Sequence, residues 1–334
     1  MPLQDTDYLS ASARIRACEN SLLGREKLYQ MTEAADSQEI YALLAEAGVR
    51  TLFRGDEKEG RPDEEATLSS LLYSAFALIE ESVPDPTFFR FLRYPYDCHN
   101  LKAAMKCHIR GTEPGDMLFS CGSLAPADAV RAAAETDFHR FPAHMAQAAQ
   151  QATLAFAKSR DPRCIDQLLD IACFRDMQEA VAPDPFLSRL LQVKTDLSNI
   201  MTVLRLLRAG LPDPVAHLDG FFLPGGTLSF GSLRDACAEG LSGLDDLLAV
   251  SPYFSAFAGV NLASEPLGVL DCRCDNFYMD RVRGAKMIPF GPAVPAAYLI
   301  AREFEVKNLR IILGGKQAGL SPDAIRARVR RGYA

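Results

Sequence analysis

Several features that would place this chain in a familiar class are missing from its sequence. Its best apolar stretch, Leu71–Ile79, has nine residues, whereas about twenty are needed to cross a membrane. Residues 1–20 carry five charged side chains and contain no apolar core of a signal peptide. We therefore expect a protein that is soluble, or that attaches to a membrane only through partners.

Basic residues are not in excess either. The 334 residues include 36 Lys and Arg against 43 Asp and Glu, which gives a formal net charge of −7. A nucleic-acid-binding surface normally carries a basic excess, and so does a protein that binds an anionic membrane unaided. We expect neither partner. The nine cysteines are an odd number, which favours free, mostly buried thiols over a disulfide framework.

Recognisable catalytic and cofactor motifs are absent as well. No GxSxG, HExxH or GxGxxG occurs, and Gly314-Gly315-Lys316 lacks the other residues of a P-loop. Cys98-His99 and Cys107-His108 are separated by about 13 Å along one predicted helix, so they cannot converge on one zinc ion. Cys272 and Cys274 lack the two-residue gap of a zinc knuckle. We predict no catalytic residue, no metal site and no cofactor.

Helical periodicity is the dominant positive signal. Ala, Leu, Arg, Glu and Gln recur at spacings of three and four residues, and the fold class that this pattern predicts is all-α. The predicted helices are Leu9–Met31, Ser37–Ala47, Glu65–Glu81, Phe88–Ile109, Pro126–Ala134, Phe141–Ser159, Ile165–Val181, Pro185–Ala209, Ser232–Val250, Pro266–Val282, Ala293–Gly314 and Ser321–Arg331.

Capping residues mark several of the predicted helix ends. Asp85-Pro86, Asp184-Pro185 and Ser321-Pro322 each place a proline after a capping side chain, which predicts a helix start. Helix stops are indicated by Gly48, Gly111, Gly210 and Gly319. Two short segments are modest strand candidates, and one charged segment is expected to form a solvated loop: Met117–Ser120 and Thr227–Phe230 for the strands, and Arg54–Glu65 for the loop.

An internal threefold repeat is the most informative pattern in the sequence. Three sixteen-residue segments align without gaps: Tyr96–Gly111, Thr195–Gly210 and Phe304–Gly319. Each has an acid, an asparagine three residues later, then Leu or Ile, and a glycine fourteen residues after the acid. The acids and asparagines are Asp97 and Asn100, Asp196 and Asn199, and Glu305 and Asn308. Such recurrence predicts three copies of one helical unit.

Weaker similarities accompany this repeat. Leu43–Phe53, Ala132–Phe141 and Leu247–Phe257 share a helix end followed by an apolar residue, and Gly115–Leu124 pairs with Gly225–Leu233. The elements recur in the same order, so we predict three units of about a hundred residues. Their expected boundaries are 1–118, 119–218 and 219–334.

The acid and the asparagine of each copy share one helix face, because residues three apart are neighbours on a helix. Polar groups amid apolar neighbours need partners, since an unpaired buried group costs about 1–3 kcal/mol. One interpretation is that these six residues dock helices between units. The alternative is that three such faces line one cavity and contact a partner.

A local excess of basic residues lies near the C-terminal end of the sequence, at Arg326, Arg328, Arg330 and Arg331. One interpretation is a favourable interaction with a helix C-terminus. The other is contact with an acidic partner surface.

Four segments resemble the C subunit of the bacterial and archaeal V-type (A/V-type) ATPases, the counterpart of the eukaryotic d subunit. They are Tyr8–Leu23, Tyr96–Lys102, Asp196–Arg205 and Tyr298–Leu320. The sequence departs from the family at Cys98, where an aromatic or aliphatic residue is common. It also departs at Gly314-Gly315, which loosens the expected helix end.

The resemblance implies an all-helical, funnel-shaped protein with a central cavity, built from three similar units in pseudo-threefold arrangement. It implies a non-catalytic subunit that receives the central stalk of the ATP-hydrolysing head and sits on the membrane proteolipid rotor ring, at the cytoplasmic face. Such a subunit transmits torque for proton or sodium ion transport. Two other classes stay open from the sequence: a helical-repeat scaffold or peptide-binding protein unrelated to the ATPase, and a helical enzyme without a recognisable motif.

Overall fold

A computed structural model describes residues 3–54 and 61–334 of the chain. Within them the fold is helical, and the all-α prediction is confirmed. The one sheet of the described residues is a two-stranded antiparallel ladder, in which β1 (Phe53–Arg54) pairs with β2 (Arg61–Pro62). Half of the predicted charged loop at 54–65, residues 55–60, lies outside the described residues. In the other half the prediction is wrong at most positions, because Arg54 and Arg61–Pro62 lie in the two strands and α4 begins at Glu64.

The chain forms two compact units. The first combines residues 1–86 with 266–334, and its helices in chain order are α1 (Leu9–Glu19), α2 (Arg25–Glu33), α3 (Ser37–Glu46), α4 (Glu64–Ser82), α14 (Leu267–Val282), α15 (Ala293–Gln317) and α16 (Pro322–Arg326). The second unit spans 87–265 and contains α5 (Tyr94–Arg110), α6 (Pro126–Glu135), α7 (Ala143–Ser159), α8 (Arg163–Val181), α9 (Pro185–Arg208), α10 (Pro214–Leu218), α11 (Phe230–Ala238), α12 (Leu241–Ala249) and α13 (Phe254–Phe257). The boundaries of three sequential units stay a prediction.

Helix α15 forms the centre of the first unit. Its first nine residues, Ala293–Ala301, are all buried, and small alanines among them let neighbouring helices approach closely. It packs against α1, α2, α3, α4, α14 and α16. In the second unit the corresponding long helix is α9, which packs against α8, α10, α11 and α12. Helices α5 and α15 carry the first and third repeated segments and α9 carries the second, so the repeats form central packing elements.

The predicted helix signals work at most positions. The side chains of Asp184 and Ser321 accept hydrogen bonds from Leu187 N (2.7 Å) and Ala324 N (3.3 Å), as capping residues do. All four predicted glycine stops have positive φ, between 63° and 81°, in the left-handed region that glycine tolerates best.

Four predicted helices are wrong in extent. Ser321–Arg331 is too long, because α16 ends at Arg326. Leu9–Met31 is two helices, because the chain turns at residues 20–24 before α2 begins. Ser232–Val250 is also two, because Gly240 has φ of +81° and breaks the hydrogen-bond ladder between α11 and α12. Phe88–Ile109 starts too early, since Asp85-Pro86 opens a 3₁₀ segment at Pro86–Leu92 and the α-helix begins only at Tyr94. The strand candidates form no strand. Met117–Ser120 starts at the last residue of a 3₁₀ segment, Gly115–Met117, and Thr227–Phe230 is a loop that ends at the first residue of α11.

Candidate functional site

The first repeated segment holds a loop against helix α5. The Asn100 side chain donates from Nδ2 to Phe119 O (2.8 Å) and accepts at Oδ1 from Phe119 N (2.8 Å). The Asp97 carboxylate accepts from Ser123 N (3.1 Å), Ser123 Oγ (2.5 Å) and Leu124 N (3.1 Å). The two side chains thereby fix the loop that leads into α6. We call such an acid and asparagine, with the backbone they hold, a clasp.

The second clasp repeats this geometry on helix α9. Asn199 Nδ2 donates to Leu223 O (2.8 Å), and Asn199 Oδ1 accepts from Leu223 N (2.8 Å). The Asp196 carboxylate accepts from Thr227 N (2.8 Å), Thr227 Oγ1 (2.6 Å) and Leu228 N (3.0 Å). Here the fixed loop leads into α11.

The two clasped loops match residue by residue from the asparagine's partner onward. A glycine precedes the hydroxyl residue in both, at Gly122 and Gly226. A Cβ built on either glycine would overlap the clasp carboxylate, Asp97 or Asp196 respectively. The loop can approach the acid this closely only because no side chain intervenes.

This match corrects the weak sequence pairing of Gly115–Leu124 with Gly225–Leu233. The end of that pairing matched Gly122-Ser123-Leu124 to Gly231-Ser232-Leu233, which shares the same letters. The hydrogen bonds instead match Gly122-Ser123-Leu124 to Gly226-Thr227-Leu228. Threonine supplies the same hydroxyl as serine. The two loops are therefore aligned by which residues contact the acid, and not by identical amino acids.

The third clasp, on α15, is assembled from both ends of the sequence. Asn308 Nδ2 donates to Arg330 O (3.0 Å), and Asn308 Oδ1 accepts from Arg330 N (2.8 Å). Glu305 Oε1, however, accepts from Leu23 N (2.7 Å), just ahead of α2. Its other oxygen accepts from Arg302 Nη1 at 2.5 Å. The acid again binds the backbone that precedes a helix, although here that backbone lies 282 residues earlier in the sequence.

All six clasp residues are buried, with side chains between 0 and 5% exposed. Burial raises the pKa of Asp97, and the hydrogen bonds from Ser123 and Leu124 oppose that shift only in part. Burial likewise raises the pKa of Glu305, against the opposing effect of the Arg302 guanidinium. Removing a carboxylate from water disfavours its charged form, so these two acids bind protons more readily in the folded chain than in water.

Three further residues complete the clasps, and the sequence analysis missed them. Arg93 Nη1 donates to the Cys121 and Gly122 carbonyls at 3.2 and 3.3 Å, and Tyr253 Oη donates to Asp196 Oδ2 at 2.6 Å. The third is Arg302, which pairs with Glu305. Arg302 lies three residues before Glu305, and Arg93 lies four residues before Asp97. Both are helical spacings that could have indicated these two arginines, whereas no such spacing connects Tyr253 to Asp196.

The four C-terminal arginines make different contacts. Arg326 pairs with Glu33 and with Asp323 (3.4 Å). Arg330 Nε pairs with Asp275 at 2.9 Å, and Arg331 Nη1 with Asp280 at 2.6 Å. Arg328 is exposed, and its side chain has no ion pair within the described part of the chain.

The structure also places the residues that were weighed for metal or phosphate binding: the two Cys-His pairs, Cys272 with Cys274, and the Gly-Gly-Lys segment. Cys98 and Cys107 are buried, whereas His99 and His108 are exposed, so thiol and imidazole of each pair point to different environments. Cys272 and Cys274 are both buried on α14. Gly315 of the Gly-Gly-Lys segment faces Ile325, since a Cβ there would lie 2.7 Å from Ile325 Cγ1.

Helix length and hydropathy together determine whether a helix can span a membrane. Among the helices of residues 3–54 and 61–334, none is long and apolar enough to span a membrane.

Comparison with known proteins gives similarity over nearly the whole chain. Residues 11–328 match the family model described as ATP synthase (C/AC39) subunit. The chain is 25% identical to the C subunit of the A-type ATP synthase of Thermococcus gammatolerans, with 96% of this chain and 89% of the relative covered. It is also 25% identical to the C subunit of the V-type sodium ATPase of Enterococcus hirae, with 98% and 99% covered.

These matches confirm the resemblance found from the sequence. The matched range contains all three clasp helices, from the acid of the first to the asparagine of the third. The chain therefore belongs to the ATP synthase (C/AC39) subunit family.

Proposed function

We propose that this protein is a non-catalytic central-stalk subunit of a rotary V-type ATPase or ATP synthase. It links the central stalk of the ATP-hydrolysing head to the proteolipid rotor ring, at the cytoplasmic face of the membrane. The observation that carries the proposal is the family match over residues 11–328, together with relatives named as the C subunits of A-type and V-type enzymes. In this role the protein transmits torque that is coupled to proton or sodium ion transport.

The clasps suit a body that carries torque. A torque-transmitting adaptor must resist deformation, and densely packed interiors have low compressibility and transmit strain. Apolar packing alone leaves helices some freedom to slide, whereas fully paired buried polar groups fix one arrangement. Asn199 and Asp196 together make six hydrogen bonds that hold residues 223–228 and Tyr253 in place.

The clasps also support the proposed cyclic arrangement of three units. These proposed units are the sequential ranges 1–118, 119–218 and 219–334, and they differ from the two compact units described above. Asp97 of the first range binds a loop of the second, and Asp196 of the second range binds a loop of the third. Glu305 of the third unit binds Leu23 of the first. The acid of each clasp thus connects one proposed unit to the next in a closed order, which suits a pseudo-threefold arrangement, whereas Asn308 of the third clasp binds Arg330 within its own proposed unit.

Arg328 is the C-terminal arginine best suited to contact a partner. Charge complementarity across an interface sets specificity and register more than affinity. Arg326, Arg330 and Arg331 already pair with carboxylates of the compact unit formed by residues 1–86 and 266–334, whereas Arg328 is exposed. We propose that it faces an acidic surface of a protein of the stalk or the ring.

The proposal is tested by isolating the protein with its partners. A tag placed ahead of Leu3, which is exposed, avoids the C-terminal segment, where Tyr333 is buried. The tagged chain is expressed in its source cell and purified from membranes solubilised in mild detergent, and co-purifying proteins are identified by mass spectrometry. We expect head, stalk and proteolipid components to be recovered together.

A charge reversal sharpens the test. Arg328→Glu should weaken recovery of the other components, while Arg234→Glu, an equal reversal at an exposed residue of the second unit, should leave it unchanged. Recovery of the tagged protein alone, beside an intact ATPase that lacks no component, would overturn the central-stalk proposal and favour an unrelated helical scaffold.

A further inference from the structure

A cavity of about 440 Å³ lies within the first unit, between α2, α14 and the segment that follows α16. Ligand sites commonly have volumes of about 300–1,000 Å³. Its charged lining residues are all arginines: Arg25, Arg283, Arg326, Arg330 and Arg331. Tyr29 and Asn276 add polar groups, and no carboxylate of the described chain lines it.

Two of the carboxylates that pair with the arginines of this cavity are each shared with a second cation, whereas Arg326 pairs with two carboxylates, Glu33 and Asp323. Arg330 pairs with Asp275, but Asp275 also pairs with Lys307 at 2.5 Å. Asp280 is shared in the same way, between Arg331 at 2.6 Å and Arg283 at 3.8 Å. Each of these two carboxylates therefore serves two cations. Like charges held close together repel one another unless a counter-charge offsets them.

Arg25 adds a further positive charge. Its guanidinium lies over the Tyr29 ring at 4.9 Å from the centroid, and its Nη2 donates to Tyr29 Oη at 3.0 Å. Arg326 lies over the same ring at 5.3 Å. Within the part of the chain that the structure describes, Arg25 makes no ion pair, so its charge at the cavity is not neutralised by a carboxylate.

Unused donors lie at the same place. Among the side chains that the structure describes, in residues 3–53 and 62–334, two buried nitrogen or oxygen atoms have no hydrogen-bond partner, and they are Nε of Arg283 and Nε of Arg326. Both arginines line the cavity. Buried donors are nearly always paired, so two exceptions in one cavity indicate an unfilled demand for an acceptor.

We propose that the arginine cavity binds a small multivalent phosphate anion. Guanidinium groups bind phosphate oxygens through two parallel N–H donors, commonly Nε with one Nη. The unpaired Nε donors belong to Arg283 and Arg326, which line the cavity, and Arg25 supplies a charge that no carboxylate of the described residues pairs with. The phosphate groups can belong to a free anion or to the headgroup of an anionic lipid, since both present the same oxygens.

The test uses the full chain and inorganic pyrophosphate as the probe. Isothermal titration calorimetry at constant low chloride should show one site. Arg25→Gln and Arg283→Gln should each weaken binding about tenfold or more, because each removes a charge-assisted donor set. Arg328→Gln is the matched control: it removes the same charge beside the cavity, does not line it, and should leave binding within about twofold.

The source of the phosphate is separated by a second arm. The same variants are mixed with phosphatidylcholine vesicles that contain or lack phosphatidic acid, and bound protein is measured by flotation. Binding of pyrophosphate supports a free anion, and binding only to phosphatidic acid vesicles supports a headgroup, provided that Arg25→Gln weakens it. Absence of both would overturn the proposal.

Two further results would also overturn it. Equal weakening by Arg328→Gln would show diffuse charge attraction and no defined site. Tighter binding of a hexaglutamate peptide than of pyrophosphate would assign the cavity to an acidic protein segment. Because Arg25 is exposed, its variant should keep the wild-type melting temperature, and loss of binding then cannot come from misfolding. The measurement needs no ATPase partner, so it stands or fails separately from the central-stalk proposal.

Discussion

Removing the Asp196 carboxylate should strongly destabilise the compact unit formed by residues 87–265. The side chain is 0% exposed and accepts four hydrogen bonds, from Thr227 N, Thr227 Oγ1, Leu228 N and Tyr253 Oη, at 2.6 to 3.0 Å. In Asp196→Ala the threonine hydroxyl can rotate toward another acceptor. The two amides and the tyrosine hydroxyl cannot do so without moving the backbone or the ring.

The magnitude follows from those three donors. A buried donor without a partner costs about 1–3 kcal/mol, and water that enters the vacated space lowers the total. We expect Asp196→Ala to reduce the free energy of unfolding by about 3–5 kcal/mol, which is a large effect for one substitution. At about 2–4 °C for each kcal/mol in a domain of this size, the melting temperature should fall by roughly 10 °C.

Two measurements check this expectation. Urea denaturation followed by circular dichroism at 222 nm gives the change in midpoint. Hydrogen exchange with mass spectrometry should show faster exchange at the Thr227 and Leu228 amides, which the carboxylate protects. Asp196→Asn keeps one acceptor oxygen and should lose only about 1–3 kcal/mol, since one donor is left facing an amide.

The control is Asp246→Ala, an equal loss of a carboxylate at an exposed position of α12. Surface substitutions of this kind change stability by about 0.5 kcal/mol or less. If Asp196→Ala behaved like this control, or if Asn199→Ala together with Asp196→Ala left both the melting temperature and complex assembly unchanged, the clasp would have no structural role.

Three further predictions use the same contacts. Gly226→Ala should destabilise the chain by about 1–3 kcal/mol in thermal melts, because the added methyl overlaps Asp196, whereas Gly268→Ala, with open space around it, should be neutral or stabilising. Gly315→Ala should likewise lower the free energy of unfolding by about 1–3 kcal/mol in thermal melts, since its Cβ meets Ile325. Its control is Gly314→Ala, next to it in the same helix, which should raise the free energy of unfolding by about 0.5–1 kcal/mol. Equal effects of the two substitutions would refute this packing argument. Because burial raises the pKa of Asp97, the folded chain binds a proton there more tightly than the unfolded chain does. The stability of the wild type relative to Asp97→Asn, measured by urea titrations, should be greatest below pH 3.8 and should fall as pH rises through the folded pKa. A relative stability that rose over that range would contradict the shift.

The repeated segments could be recognised in the sequence because their signals are local. An acid and an asparagine three residues apart share a helix face whatever the rest of the chain does, and the glycine stops at 48, 111, 210 and 319 need only a left-handed backbone. The helix breaks before Arg25 and at Gly240 were missed because both halves of each predicted helix continue the same apolar spacing. A glycine inside a periodic run does not by itself reveal whether the helix ends there.

Partners distant in sequence could not be predicted from it. Tyr253 lies 57 residues from Asp196, and no spacing rule connects them. The arginine cavity has the same origin: the cluster at Arg326, Arg330 and Arg331 is visible in the sequence, but Arg25 and Arg283 join it only through folding. Tertiary contacts assign such residues, and local propensity carries no information about them.

The third clasp shows why its acid is a glutamate while the others are aspartates. Asp97 and Asp196 each bind a loop that follows their own helix closely in sequence and wraps back over the carboxylate, with a glycine at the point of approach. Glu305 reaches Leu23 N instead, and its side chain is one methylene longer. Arg302, fixed by Tyr298 Oη at 3.1 Å and Ser21 Oγ at 2.6 Å, holds the second carboxylate oxygen in a fully paired network. In the first two clasps a short acid and a glycine fix a loop that is near in sequence. In the third clasp a longer acid fixes a segment that comes from the other end of the chain.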